Sequence, residues 1–148
     1  MTDAQYVAYR AHSADSYAKE IAESGSMSWA DAVEKAAADF ATLLPEGLET
    51  PDHHLFTAYD GETEIGLFWL QIRTRAAGPE GFILDIQVRP DQRRHGYGRA
   101  IMTAGEEECR RRGVTAIGLN VFAQNVGARA LYDQLGYHVT STQMRKRL

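Results

Sequence analysis

The chain alternates between stretches where apolar residues recur every three or four positions and stretches where they run almost unbroken. The first pattern predicts amphipathic helix, the second buried strand. Ala14 to Glu23 is helix-like and stops near Gly25. Ser28-Trp29-Ala30-Asp31 has the form of a capping box in which a short acid replaces the usual Glu or Gln. The Ala-rich run behind it, Ala30 to Leu44, ends at Pro45. Strand signals follow. Leu55 to Tyr59 leads into Asp60-Gly61, a hairpin signal. Glu64 to Arg73 is its partner, largely apolar and aromatic. Gly78-Pro79 is expected to break the chain. Gly81 to Val88 is the next strand, interrupted by a charge at Asp85 and ended by Pro90.

Gly98 to Arg112 predicts a helix, with acid-to-base pairs at i,i+4 in Glu106→Arg110, Glu107→Arg111 and Glu108→Arg112. Its Arg-rich last turn complements the helix dipole, and Gly113 suits the position after the cap. Ala116 to Phe122 is another strand. Asn125 is placed to cap a helix that runs to Leu135 and stops at Gly136. Ala128, Leu131, Tyr132 and Leu135 form its inward face. Tyr137 to Met144 reads as a final strand. The order predicts an α/β fold: a mixed, mostly antiparallel sheet flanked by helices.

A length of 148 residues suits a single domain. Roughly 70 % of the unfolded surface of such a chain can be buried, so a core needs no disulfide or metal. Two helices over 1–45 and a core over 54–148 make up that domain. Hydrophobic residues are 44 % and charged residues 24 %, which argues against disorder. No apolar run approaches the ~18 residues of a membrane span, so no membrane partner is expected. Met1 to Tyr6 has neither a basic patch nor an apolar segment, so the expectation is no signal peptide and a cytoplasmic location. Cys109 is the sole cysteine, which excludes an internal disulfide and a multi-Cys zinc site. The net charge of −4 divides unevenly: residues 1–60 carry eleven acids and three bases, residues 61–148 nine acids and thirteen bases. The basic part suits an anionic ligand and the acidic part a cationic one, unless both are simply solvated faces. With a pI near 5.7 and no basic aromatic stripe, nucleic acid is not expected.

The informative stretch is Val88-Arg89-Pro90-Asp91-Gln92-Arg93-Arg94-His95-Gly96-Tyr97-Gly98-Arg99. A strand ends, a basic loop turns, and a helix begins at the glycines. Helix N-termini present unpaired N–H groups and a positive dipole end, which suits phosphate. Gly96 and Gly98 let the backbone approach an anion, and Arg93, Arg94 and Arg99 add charge. A P-loop would need Gly-Lys-Ser/Thr, and a dinucleotide fingerprint a third glycine where Ile101 stands. Taken alone, a Gly-x-Gly could be an ordinary strand–helix turn.

A second run, Asn125-Val126-Gly127-Ala128-Arg129-Ala130-Leu131-Tyr132-Asp133-Gln134-Leu135-Gly136-Tyr137, follows the next strand. With both runs in view, residues 54–148 resemble the GNAT superfamily of N-acetyltransferases. Arg93 to Gly98 is similar to that family's acyl-CoA pyrophosphate signature Q/R-x-x-G-x-G/A. Asn125 to Tyr137 is similar to its second motif. The resemblance implies a transferase that binds acetyl-CoA as co-substrate, with no metal, and a partner bearing a primary amine. It implies that the backbone from Arg94 to Arg99, with Arg93, His95, Gly96, Tyr97 and Gly98, holds the pyrophosphate. The main chain of Asp85 to Val88, through Ile86 and Val88, would pair with the pantetheine arm. The Val88 N–H would face the thioester oxygen, Asn125 would contact the CoA arm, and Tyr132 would lie near the sulfur. A non-catalytic acyl-CoA-binding regulatory module is the alternative, and a homodimer is left open. The family's first strand should precede the first helix, but Tyr6-Val7-Ala8-Tyr9 is a poor strand. That edge strand is expected to be missing or replaced by helix.

Acetyl transfer needs a proton donor for the departing sulfur and an acceptor for the amine proton. Tyr132 suits the first role, or else is a core aromatic. Asp85 is the best local carboxylate for the second, or else a structural acid; alternation puts it on the strand face opposite Leu84 and Ile86. Glu64 and Glu80 are more distant. His53 and His54 point in opposite directions in an extended segment, so they would not both ligate one metal. Asn120 either faces the acceptor cleft or makes a sheet hydrogen bond. Of Phe68 and Trp69, at least one should be core and the other could wall the acceptor site. Acceptor contacts are expected from the two N-terminal helices and the loop 76–81.

Overall fold

The computed structural model describes residues 1–144 and 146. Helix α1 spans Asp3–Glu23 and α2 spans Trp29–Leu43. α1 starts well before Ala14. Its N-terminus is a reciprocal capping box: the Gln5 N–H donates to Thr2 Oγ1 at 3.3 Å and the Thr2 N–H to Gln5 Oε1 at 2.9 Å. Helix therefore fills the region where an edge strand was expected to be missing or replaced. At α2 the Asp31 N–H donates to Ser28 Oγ at 3.2 Å, and the Ser28 hydroxyl donates to Asp31 Oδ2 at 2.7 Å. The short acid reaches the hydroxyl rather than the N–H of the cap residue.

Strands β1 (His53–Asp60), β2 (Thr63–Arg75) and β3 (Gly78–Val88) form two antiparallel hairpins, and β4 (Ala116–Leu119) adds in parallel to β3. The order in the sheet is β1-β2-β3-β4. Helix α3 (Tyr97–Arg111) connects β3 to β4, and α4 (Val126–Gln134) follows. The expected mixed, mostly antiparallel sheet flanked by helices is the observed architecture.

Each face of the sheet has its own core. On one side Phe68, Leu70 and Ile83 pack with Ile101, Met102, Cys109 and Tyr132. A Cβ at Gly105 would come within 2.4 Å of the Phe68 ring, so α3 lies directly against β2 there. On the other side Leu55 and Trp69 pack with Tyr9, Phe40 and Leu44. Both Phe68 and Trp69 are core, so neither walls an acceptor site. α1 and α2 meet through Ala18, Ile21, Ala32 and Ala36, and the three alanines let the helices approach closely.

The two halves of β3 differ. Trp69 pairs with Asp85 and Leu70 with Ile83, so Leu84 is an extra, bulged residue. The bulge overrides simple alternation. Leu84 packs with the Trp69 cluster, and Asp85 bonds Tyr9 of that same cluster, while Ile83 and Ile86 belong to the α3 side. Asp85 thus shares a face with Leu84, and only Ile86 opposes it. β4 pairs with residues 80–83 alone, and β3 runs on to Val88 without it.

Several expected boundaries move for related reasons. β4 ends at Leu119, which leaves Asn120 exposed outside the sheet. Tyr137 to Met144 forms no strand; residues 138–144 are exposed and bury no apolar face that would hold one. Gly78-Pro79 lies inside β3, because β4 begins opposite Glu80 and Pro79 needs no N–H toward it. The 76–81 segment is a hairpin tip and strand start, at the far end of β3 from Val88. In α3, Glu106–Arg110 and Glu108–Arg112 pair as expected, at 3.5 and 2.6 Å, but Arg111 turns to Glu108 and Glu107 to Arg110. α3 closes with N–H bonds from Gly113 to Arg110 O and from Val114 to Cys109 O, both 3.0 Å.

Candidate active site

The loop between β3 and α3 holds two residues in the left-handed region, Arg94 (φ 69°) and Gly96 (φ 84°), with Gly96 as the N-cap. Such turns orient successive N–H groups toward one point and suit an anion. The first bond closing α3 runs from the Ala100 N–H to Gly96 O at 3.2 Å, so the Tyr97, Gly98 and Arg99 N–H groups have no partner within the helix. A Cβ at Gly96 would meet nothing within 4 Å; its glycine serves the backbone conformation. A Cβ at Gly98 would approach Leu131 at 3.2 Å, so that glycine serves contact with α4.

The side chains around the loop have distinct partners. Tyr97 donates to Asp60 Oδ2 at 2.6 Å, which ties the start of α3 to the β1–β2 hairpin. Arg99 donates to Gln134 on α4, Arg93 Nε to Val88 O at 3.2 Å, and His95 Nδ1 lies 3.3 Å from Gln92 O. Among the described residues the Arg94 side chain has no hydrogen bond or ion pair, which leaves its charge available to a ligand.

Beside the loop, β3 has an open edge. The Arg89 N–H donates to Ile65 O at 2.9 Å, so Gly66 and Val88 form a non-hydrogen-bonded pair. The Val88 N–H therefore points away from β2, toward the side that β4 has left. Ile86 has the same register, and its N–H is taken by the Asp85 carboxylate.

Asp85 sits where β3 meets α1. Its Oδ2 accepts from the Tyr9 hydroxyl at 2.9 Å and from Gln87 Nε2 at 2.8 Å; Gln87 Nε2 also donates to Ser13 Oγ at 3.1 Å. Burial pushes the Asp85 carboxyl above the usual range, against the lowering effect of these bonds. Burial and the neighbouring Asp85 charge hold the Tyr9 phenol far above its usual value, so it remains a donor.

Tyr132 on α4 is 8 % exposed, and among the described residues its hydroxyl has no hydrogen-bond partner. Burial raises its pKa, and the charges of Asp85 and Glu20 raise it further. Glu20, on α1, is exposed; partial desolvation and the Asp85 charge raise its carboxyl too. Tyr9 and Ser13 were not anticipated as site residues.

Asn125 is the N-cap of α4, with its Oδ1 accepting from the Ala128 N–H at 3.2 Å, and its amide nitrogen stays free of that bond. Ile86 and Val88 pack their side chains on the α3 core and offer main chain to the open edge. The remaining candidates are engaged elsewhere. Glu64 accepts from Gln5 at 3.0 Å, and Glu80 pairs with Arg75 at 3.1 Å. His53 is buried and accepts from the Trp69 indole at 3.0 Å, whereas His54 faces Arg112 at 3.0 Å on the other side of the sheet. Cys109 is fully buried in the core. Among the described residues no three His, Cys, Asp or Glu side chains are arranged to hold a metal ion, and no helix is long and apolar enough to cross a membrane.

Comparison with known proteins returns the same region. The model of the acetyltransferase (GNAT) family matches residues 15–137. The uncharacterized N-acetyltransferase YycN of Bacillus subtilis is 33 % identical over the whole of this chain and 96 % of its own length. A second Bacillus subtilis protein, the uncharacterized N-acetyltransferase YdgE, is 28 % identical over the whole chain and 95 % of its own. The crystal structure of YycN superposes with a TM-score of 0.93, covering all of this chain and 95 % of that one at 32 % identity.

Proposed function

The chain belongs to the GNAT acetyltransferase family, and from that premise we propose that it moves an acetyl group from acetyl-CoA to a primary amine by direct attack in a ternary complex. The loop from Arg93 to Arg99 holds the pyrophosphate, through the N–H groups that α3 leaves unpaired and the free Arg94 charge. The open edge of β3 at Ile86 and Val88 takes the pantetheine arm, which acetyl-CoA supplies together with the acyl thioester. Asn125 contacts that arm beside the start of α4. The Val88 N–H, turned away from β2, donates to the thioester oxygen as charge grows on it.

Two side chains handle the protons. The amine nitrogen forms a bond to the acyl carbon as the C–S bond breaks. Asp85 accepts the proton that the amine loses, and Tyr132 gives its phenolic proton to the departing sulfur. Proton exchange with solvent then restores both groups. A raised carboxyl pKa makes Asp85 a better proton acceptor than an exposed Asp, and burial keeps Tyr132 protonated at neutral pH.

The observation that carries this reading is Tyr132, a buried side chain whose hydroxyl has no hydrogen-bond partner among the described residues and whose phenol pKa is raised by burial and by the Asp85 charge. It is tested by free-thiol release from acetyl-CoA against a broad amine panel, with wild type and Tyr132→Phe in parallel. Wild type should release thiol with at least one amine. The Phe variant keeps the ring and its packing and should be slower by roughly 10²–10⁴-fold. No release with any amine, or a Phe variant at the wild-type rate with an unchanged pH profile, overturns the assignment.

A further inference from the structure

Resting on the acetyl-transfer reading above, we propose that Tyr9 and Ser13 of α1 are positioning residues for that reaction: together with Gln87 they clamp Asp85 Oδ2 and leave Oδ1 as the oxygen that takes up the proton.

The buried positions of α1 are Tyr9, Ser13, Ala18 and Ile21. Packing alone would favour apolar side chains at all four, since a buried hydroxyl costs free energy unless it is bonded. Two of the four, one turn apart on the same face, carry hydroxyls, and both meet β3. Tyr9 is 6 % exposed and donates to Asp85 Oδ2 at 2.9 Å. Ser13 is 2 % exposed and accepts from Gln87 Nε2 at 3.1 Å. The same Gln87 nitrogen donates to Asp85 Oδ2 at 2.8 Å. A carboxylate only accepts, so the Gln87 amide must turn its NH2 group toward Asp85, and Ser13 Oγ takes the other N–H and fixes that orientation. The Tyr9 ring is itself held edge-on, with centroids 6.3 Å from Trp69 at 88° and 6.1 Å from Phe40 at 66°. Its hydroxyl therefore reaches Asp85 from a rigid support.

Two donors fill one carboxylate oxygen. Proton uptake at Oδ1 breaks neither bond, whereas uptake at Oδ2 would displace one. The carboxyl cannot turn about its Cβ–Cγ bond without breaking both, so Oδ1 keeps one direction through the reaction. Both bonds favour the charged form and oppose the effect of burial. Besides Tyr9, the titratable groups that feel the Asp85 charge are Glu20 of α1 and Tyr132 of α4, and among the described residues neither is hydrogen-bonded to it. β2 and α2 present Trp69 and Phe40 to this cluster, which carry no charge. The clamp is thus built from α1 and from β3 itself.

The test uses Tyr9→Phe, which keeps the ring and removes the hydroxyl, and Ser13→Ala. The first readout is the titration of the Asp85 carboxyl in the free protein, followed by carbon-13 NMR. Its midpoint should move to higher pH in Tyr9→Phe, because a donor to the charged form is gone, and should move the same way by less in Ser13→Ala. The second readout is turnover of acetyl-CoA with the amine that gives the fastest thiol release. Tyr9→Phe should lower kcat by roughly tenfold, the range of one charge-assisted hydrogen bond, and move the acid limb of the pH–rate profile to higher pH, with KM for acetyl-CoA kept. In an Asp85→Asn background the same change should leave kcat nearly as it was, since the effect runs through Asp85. A merely structural hydroxyl would lower the melting temperature, leave the titration in place and cost the same rate in both backgrounds. An unmoved Asp85 midpoint in Tyr9→Phe, or in Ser13→Ala should the first variant not fold, overturns the proposal while acetyl transfer stands. So does a kcat loss that persists undiminished in the Asp85→Asn background. Wild-type turnover in Asp85→Asn alone, or no thiol release with any amine, overturns the reading on which the proposal rests.

Discussion

Asp85 accepts hydrogen bonds from Tyr9, Gln87 and the Ile86 N–H, yet burial outweighs all three and its carboxyl holds a proton more tightly than in the unfolded chain. The sign for stability follows. Its contribution is complete below the ordinary carboxylate range and is lost as pH rises through the raised folded-state value. Asp85→Asn removes the charge and keeps an acceptor oxygen for Tyr9. The variant should therefore match wild type in melting temperature at acid pH and gain on it as pH rises. Its turnover should fall, and the acid limb of the pH–rate profile should flatten. A variant that melts lower at every pH, with turnover per folded molecule kept, makes Asp85 structural instead. At this scale the sequence was informative where a residue broke a local pattern, as Asp85 does in an apolar strand. Tyr9 broke none. Its partner stands 76 positions away, and only the packing of α1 on β3 brings the two together.

Helix ends were legible because capping is local. Ser28, Asn125, Gly113 and Gly136 all stand at the termini they signal, and Thr2-x-x-Gln5 is a signal of the same kind at the start of α1. Strand ends were less legible, since each depends on the neighbour. β4 stops where its pairing with Ile83 stops, and the bulge at Leu84 is a property of the β2–β3 register. The start of α3 joins both cases. Gly96 was marked by its motif, and the structure adds the reason, a φ of 84° with open space around the missing Cβ. Gly96→Ala should cost roughly 1–2 kcal/mol of stability through that backbone conformation alone. Acetyl-CoA at about 100 times its dissociation constant should stabilise wild type by roughly 2.7 kcal/mol. The Ala variant should lose most of that gain as the N–H groups of the loop turn away from a common point. A full thermal shift in the variant would show that the loop conformation does not matter for binding.

Across the whole molecule, one core on each face of the sheet holds β1, β2 and the first half of β3 in place. The second half of β3 is paired on its β2 side only. The helix-and-strand order foretold this architecture but not the opening, because nothing local to Ala116–Leu119 says how far it will follow its partner. The opening has a consequence that amide hydrogen exchange can read. Along Gln87 and Val88, neighbouring residues of one strand should differ sharply in protection. The Gln87 N–H is locked into the ladder with Leu67, and the Val88 N–H faces outward. Gln87 should exchange slowly and Val88 fast in the free protein. Saturating acetyl-CoA should slow Val88 and leave Gln87 nearly unchanged. Equal slow exchange at both positions without ligand would mean that the gap is closed in solution. A one-sided strand of this kind keeps its shape from the ladder behind it and its vacancy in front, so a ligand can be received as a missing strand without any rearrangement of the sheet.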